Sequence, residues 1–186
     1  MLGKPTIKYR LQFAKDMPKG LKETSSLITI GFEVAESAAN TFTQNRVDLQ
    51  LNPLDNEVFV VQAIDITLTP PEAIAATDTA FASSVTTTSQ TAVAELDNSN
   101  CMAVAVNQIR AGGFVDGGVG FTQSSGESPS TTLDYIAIIA TNDFFCQILG
   151  ANNAGTGRLS GKLYGYRAKA DAAVYAALVQ SEVLSS

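Results

Sequence analysis

Glu57-Val-Phe-Val-Val-Gln-Ala-Ile-Asp-Ile-Thr-Leu68 decides the fold. Phe59, Val61 and Ala63 alternate in one phase, then Ile64, Ile66 and Leu68 in the other. Period-2 spacing of apolar residues belongs to a strand, and a phase change inside one strand predicts a bulge or bend near Ala63. Working outward, Asn52-Pro53-Leu54-Asp55-Asn56 has the chemistry of a turn. Before it, residues 41–51 read as a strand in which Val47, Leu49 and Leu51 alternate with Arg46, Asp48 and Gln50. Residues 27–34 read as another, with Ile28, Ile30, Phe32 and Val34 on one face.

Downstream, Thr69-Pro70-Pro71-Glu72 ends the strand and predicts a short helix through Ala76, with proline in the first positions. Residues 77–91, rich in Thr, Ser and Ala, read as one or two exposed strands. Asp97-Asn98-Ser99-Asn100 is a turn, and Cys101 to Arg110 a strand with Met102, Val104 and Val106 on one face. Residues 112–131 are dense in Gly and Ser and read as a long loop with a small hairpin around Asp116-Gly117. Residues 133–140 and 144–149 are short apolar strands of a buried kind, and residues 159–167 are the last strand. About nine strands favour an all-β antiparallel sandwich or barrel.

The two ends differ from this body. Residues 168–184 lack Gly and Pro and carry helical spacing, with Ala172, Ala176, Val179 and Val183 on one face and Val174, Tyr175 and Leu178 beside them. This predicts a C-terminal helix over residues 168–186, docked on its own body or on a neighbouring subunit. At the other end, Lys4, Lys8, Arg10, Lys15, Lys19 and Lys22 are half of the 12 cations, and only Asp16 opposes them before residue 23. That arm carries +5; the remaining residues hold six cations against seventeen acids. Ile7, Tyr9, Leu11 and Phe13 alternate with Lys8, Arg10 and Gln12, so the arm, residues 1–22, is partly strand, with one apolar and one cationic face. The cations suit salt-dependent contact with a polyanion, the acidic body of another subunit, or defence of a sheet edge.

The chain has no histidine, which removes the Ser-His-Asp triad, the Cys-His pair and histidine metal ligands. Gly157 to Lys162 imitates a phosphate loop but has three residues between its glycines, and Leu163 stands where Ser or Thr would hold magnesium. Asp55 with Glu57, and Glu95 with Asp97, are acid pairs without a glycosidase signature; loop acids or a weak calcium site fit them better. Cys101 and Cys146 read as buried free thiols, with a disulfide left open. No catalytic residue, cofactor or metal is expected, and the chain reads as a structural protein rather than an enzyme. Charged residues are sparse at 16%, and a surface of neutral polar groups suits packing against copies of itself. No signal peptide and no run of about 20 apolar residues is present, so synthesis in the cytoplasm is expected.

Asp48-Leu-Gln-Leu-Asn-Pro-Leu-Asp-Asn-Glu-Val-Phe-Val-Val61 and Tyr166-Arg-Ala-Lys-Ala-Asp-Ala-Ala-Val-Tyr-Ala-Ala-Leu-Val-Gln-Ser-Glu182, with the order basic arm, strands, terminal helix, carry a resemblance. The chain resembles the single jelly-roll major capsid proteins of small tailless icosahedral viruses, of a marine phage-like kind. The resemblance implies a jelly roll of about 8–9 strands over residues 23–167 and a virion protein that self-assembles into an icosahedral shell made in the host cytoplasm. It implies many copies of the chain as partners, minor virion proteins beside them, and an arm facing nucleic acid or an inner membrane. On this reading Ile7, Tyr9, Phe13, Ala172, Tyr175, Ala176, Val179 and Val183 meet neighbouring subunits. Lys4, Lys8, Arg10, Lys15, Lys19 and Lys22 meet the genome or line the inner surface. A phage tail-tube or connector β-barrel is an alternative, and a carbohydrate- or surface-binding β-sandwich, using Tyr164 and Tyr166, is one of another class.

Overall fold

Glu57–Leu68 forms one continuous strand in the computed structural model, which describes residues 18–111, 121–126 and 133–184. In chain order the strands are β1 (Leu21–Glu23), β2 (Ile28–Ala35), β3 (Thr43–Asp48), β4 (Glu57–Leu68), β5 (Thr79–Thr86), β6 (Cys101–Arg110), β7 (Phe121–Gly126), β8 (Ala137–Ile139), β9 (Asp143–Ala151) and β10 (Arg158–Ala170), followed by helix α1 (Ala172–Leu184). They form two five-stranded antiparallel sheets. In sheet A, β10 lies between β4 and an edge shared by β1 and β2, and β8 flanks β4; sheet B runs β3-β9-β5-β6-β7. Without β1 and β7, the orders β2-β10-β4-β8 and β3-β9-β5-β6 are those of a jelly roll, in which the chain crosses between sheets at nearly every connection. The expected all-β antiparallel sandwich with a C-terminal helix is the observed fold.

The phase change in β4 is a bulge. Tyr164 of β10 pairs with Ala63 but Gly165 pairs with Val61, leaving Gln62 as the extra residue. Phe59, Val61, Ile64, Ile66 and Leu68 therefore all contribute to the layer between the sheets. Val58 and Val60 point out of the sandwich, into a second apolar cluster beneath α1. Across the main core, Phe32 of sheet A meets Phe144 of sheet B edge to face, ring centroids 5.5 Å apart.

Several sequence expectations are corrected. Residues 69–76 form no helix, because Glu72 turns to cap the loop after β9. Its carboxylate accepts from Ala154 N (2.9 Å) and Gly155 N (3.0 Å), and its own N–H donates to Asn153 Oδ1. The Thr/Ser-rich residues 77–91 supply β5, a central strand with Ser83, Ser84, Val85 and Thr86 fully buried, not an exposed one. A bulge at Met102 sends that side chain into the main core, while Val104 and Val106 line the outer face of sheet B. Residues 168–170 belong to β10, paired with β1, so the helix starts at Ala172. Cys101 is half-buried rather than buried, and both thiols are free. β7 (Phe121–Gly126) is a strand within the stretch read as a long loop; residues 112–120, with Asp116-Gly117, and 127–131 lie outside the described residues.

Candidate subunit interface

Helix α1 begins at a built junction between the two ends of the chain. Asp171 caps it, its Oδ1 accepting from Val174 N at 2.8 Å. The N–H of Asp171 donates to the Gly20 carbonyl at 2.9 Å. Gly20 occupies the third position of the turn that Leu21 N closes onto the Pro18 carbonyl, with φ +84°. Such a turn favours glycine there, and a Cβ on Gly20 would lie 2.8 Å from both Asp171 Oδ2 and Val174 Cγ2. Leu21 pairs with Ala170 in the same register block. Segments about 150 residues apart in sequence thus meet at one corner of sheet A.

The helix has two apolar sides. Val174, Tyr175, Leu178 and Val179 pack on Val58, Val60, Ala140, Tyr166, Ala168 and Ala170. These four are half-buried, so each contributes less than the ~1.5–3 kcal/mol of a fully buried side chain. The last turns are held by a carboxylate. Glu182, 7% exposed, accepts from Ala140 N (3.0 Å) and Thr141 N (2.9 Å) in the β8–β9 connection. It is also the only charged residue in α1, and it faces inward. The outward face consists of Ala172, Ala173, Ala176, Ala177, Gln180, Ser181, Val183 and Leu184, with Val183 60% and Leu184 76% exposed. A helix meant for water on one side carries charge on that side; this one inverts the rule.

The expected single contact face is therefore divided. Tyr175 and Val179 dock on the chain's own body, while Ala172, Ala176 and Val183 face outward. Lys19 and Lys22 are exposed at the corner where the arm enters. Ile7, Tyr9, Phe13, Lys4, Lys8, Arg10 and Lys15 lie outside the described residues. The Glu182 clamp escaped the sequence reading, although a single acid in a 13-residue apolar helix was its signal.

The other candidate chemistry resolves into scaffold. Asp55 accepts from Asn52 Nδ2 and pairs with Lys169 at 3.6 Å; Glu57 pairs with Arg167 at 3.0 Å. Arg167 also donates to the carbonyls of Leu49 and Gln50, tying β10 to the turn before β4. Glu36, 5% exposed, accepts from Gly150 N, Gly157 N and Thr41 N. Gly157 to Lys162 runs into a strand, not a phosphate-binding loop. Glu95 and Asp97 rim a cleft of about 540 Å³ on the outer face of sheet B. No group of three or more potential metal ligands occurs among the described residues. Tyr166 is 2% exposed beneath α1, its phenol pushed up by burial, with the Glu23 and Asp134 carboxylates adding to the effect. Of the two tyrosines only Tyr164 reaches the surface, its phenol pushed up by a hydrogen bond to Asp65. No described helix is long and apolar enough to cross a membrane.

Compared with known proteins, the chain matches no family model and no curated sequence.

Proposed function

We propose that this chain is the self-assembling coat protein of a virus-like shell, with a structural rather than a catalytic role. The observation that carries the reading is the uncharged outer face of α1, Ala172, Ala173, Ala176, Ala177, Gln180, Val183 and Leu184, on a helix whose one acid is turned inward. Thirteen helical residues extend about 20 Å, far too small a patch for the ~800 Å² per partner of a stable binary complex. A contact of that size acts when repeated many times in a closed symmetric array. The jelly-roll order supports the reading by analogy alone, since folds host many functions. Lys4, Lys8, Arg10, Lys15, Lys19 and Lys22 supply salt-dependent contact with nucleic acid or an anionic inner surface. Against a carbohydrate-binding role stands the sealing of Tyr166, which leaves Tyr164 without its aromatic neighbour.

The test is negative-stain electron microscopy of the purified, tag-free chain at low and high salt, beside the double substitution Ala176→Glu/Val183→Lys. Removing residues 169–186 is a poorer test, because it uncovers Val58, Val60 and Tyr166. Exposed substitutions away from special features change stability by no more than about 0.5 kcal/mol, so the variant should fold normally yet give only free subunits. Closed shells of wild type and none of the variant are expected. Normal shells from the variant would remove the helix from the interface. Wild-type tubes or stacked rings would replace the shell with a tail-tube reading, and a monomer in every condition would end it.

A further inference from the structure

Beside α1, the outer face of sheet A holds a cleft of about 430 Å³ lined by Pro18, Lys19, Leu21, Asp134, Tyr135, Ile138, Val174 and Leu178. We propose that this cleft seats the chain's own N-terminal segment, with Ile7, Tyr9 and Phe13 packed against Leu21, Tyr135, Ile138, Val174 and Leu178. The inference concerns the isolated subunit and does not depend on whether subunits assemble.

Three observations select this occupant. The first is where the chain enters. Pro18, Lys19 and Leu21 are themselves the wall of the cleft, and the Pro18–Leu21 turn is pinned to the start of α1 through Gly20 and Asp171. Phe13 stands five residues before Pro18, a span of at most about 17 Å when extended. A segment tethered this closely meets the cleft at an effective concentration in the millimolar range, without any new partner.

The second is pattern. Ile7, Tyr9, Leu11 and Phe13 share one face of an alternating stretch, with Lys8 and Arg10 on the other. A one-sided strand needs an apolar seat beneath it and water or anions above it. The cleft has an apolar floor, and Tyr135 beside it is 38% exposed.

The third is charge. Asp134 lines the cleft, Asp171 starts the helix, and Glu23 closes β1; Glu23 and Asp134 both act on Tyr166. None of the three forms an ion pair with a cation among the described residues. The segment that ends at the cleft brings Lys4, Lys8, Arg10 and Lys15 against a single Asp16. The attraction is between net charges at the mouth of the cleft; with the apolar face seated, Lys8 and Arg10 stay on the outer side, for a neighbour or a polyanion.

Two measurements decide the matter. The full chain carrying Cys101→Ser, Phe13→Cys and Leu178→Cys is oxidised with diamide at low concentration and mapped by peptide mass. A bond between positions 13 and 178 of the same chain is expected, at a yield independent of protein concentration. A mainly interchain bond would mean arms exchanged between copies, and no bond would mean an unused cleft; either overturns the proposal. Because Leu178 helps hold α1, hydrogen exchange is also compared between wild type and Ile7→Ser/Tyr9→Ser/Phe13→Ser, whose body is unaltered. Peptides covering residues 133–140 and 172–184 should exchange about tenfold faster in the triple variant, as expected when a cover is lost. Equal rates overturn the proposal even if the chain forms perfect shells, and faster rates uphold it even if the chain forms none.

Discussion

Both sheets have a covered outer face, and the two covers are made of opposite materials. Over sheet A, α1 lies on Val58, Val60, Tyr166, Ala168 and Ala170, an apolar joint closed by one carboxylate, Glu182. Over sheet B, residues 87–98 lie on hydroxyls and amides. Ser84 donates to Gln147 Oε1 at 2.8 Å and accepts from Ala94 N at 3.0 Å. Gln147 Nε2 donates to Thr86 Oγ1 at 2.7 Å and to Gln44 Oε1 at 3.0 Å, and Gln44 in turn donates to Ser89. Every buried side-chain polar atom among the described residues has a partner. An apolar cover tolerates small shifts, because the hydrophobic effect has no direction. A fully satisfied polar network does not, since each lost partner leaves a group buried and dry. The difference teaches that the cover of sheet B is part of the sandwich, whereas α1 is an attachment to it.

The comparison breaks most readily at Gln147. Gln147→Leu keeps the volume but strips partners from Ser84, Thr86 and Gln44 at once, and should cost on the order of 3–4 kcal/mol. Urea unfolding should show one lowered midpoint with an unchanged slope, because β9 is central to sheet B. Glu182→Ala removes a charged acceptor from two backbone donors, worth about 2–3 kcal/mol. Its effect should be local, with faster hydrogen exchange in α1 and little change in β5 or β9. A loss of protection spread evenly over both sheets would mean α1 is no attachment. Ser84→Ala should cost about 1–2 kcal/mol, read as a small midpoint shift and faster exchange at Ala94. The finest probe is Cys146, next to Gln147 on β9 but facing the core. Burial pushes its thiol up to about 11, so at pH 8 only about one thiol in a thousand is the reactive thiolate, and alkylation proceeds through opening of the sheet. Gln147→Leu should speed iodoacetamide labelling of Cys146, while Glu182→Ala should leave it near the wild-type rate.

The same contrast explains what was legible in the sequence. Apolar alternation announces itself, so β2 and β4 were readable to their facing residues, including the bulge at Gln62, one residue from its expected place. β6 was readable in extent, but Met102 changed face because a bulge moves a side chain without altering the sequence pattern. β5 was misread as exposed because Ser83, Ser84 and Thr86 look like surface residues; their partners, Ala105 O, Gln147 and Thr88 O, lie up to 63 residues away. Residues 168–170 looked helical from their alanines, and the pairing of β10 with β1 overrode that preference. For the proposed interface, the apolar helix was legible, but its division was not. Tyr175 inward and Ala176 outward depends on where Gly20 and Asp171 start the first turn.

One feature of the topology reaches into synthesis on the ribosome. β10 pairs with β1, β2 and β4, so three of its neighbours are made long before it. Until Arg158–Ala170 has emerged, β4 lacks its main partner, and β1 and β2 have none in their sheet. Long-range pairing of this kind is slow and is completed late. The nascent chain therefore stays unfinished until β10 is made, and α1, which follows it, attaches only to a sheet already closed. In a chain that assembles with its own copies, that order withholds the helix's outer surface until a complete subunit stands behind it.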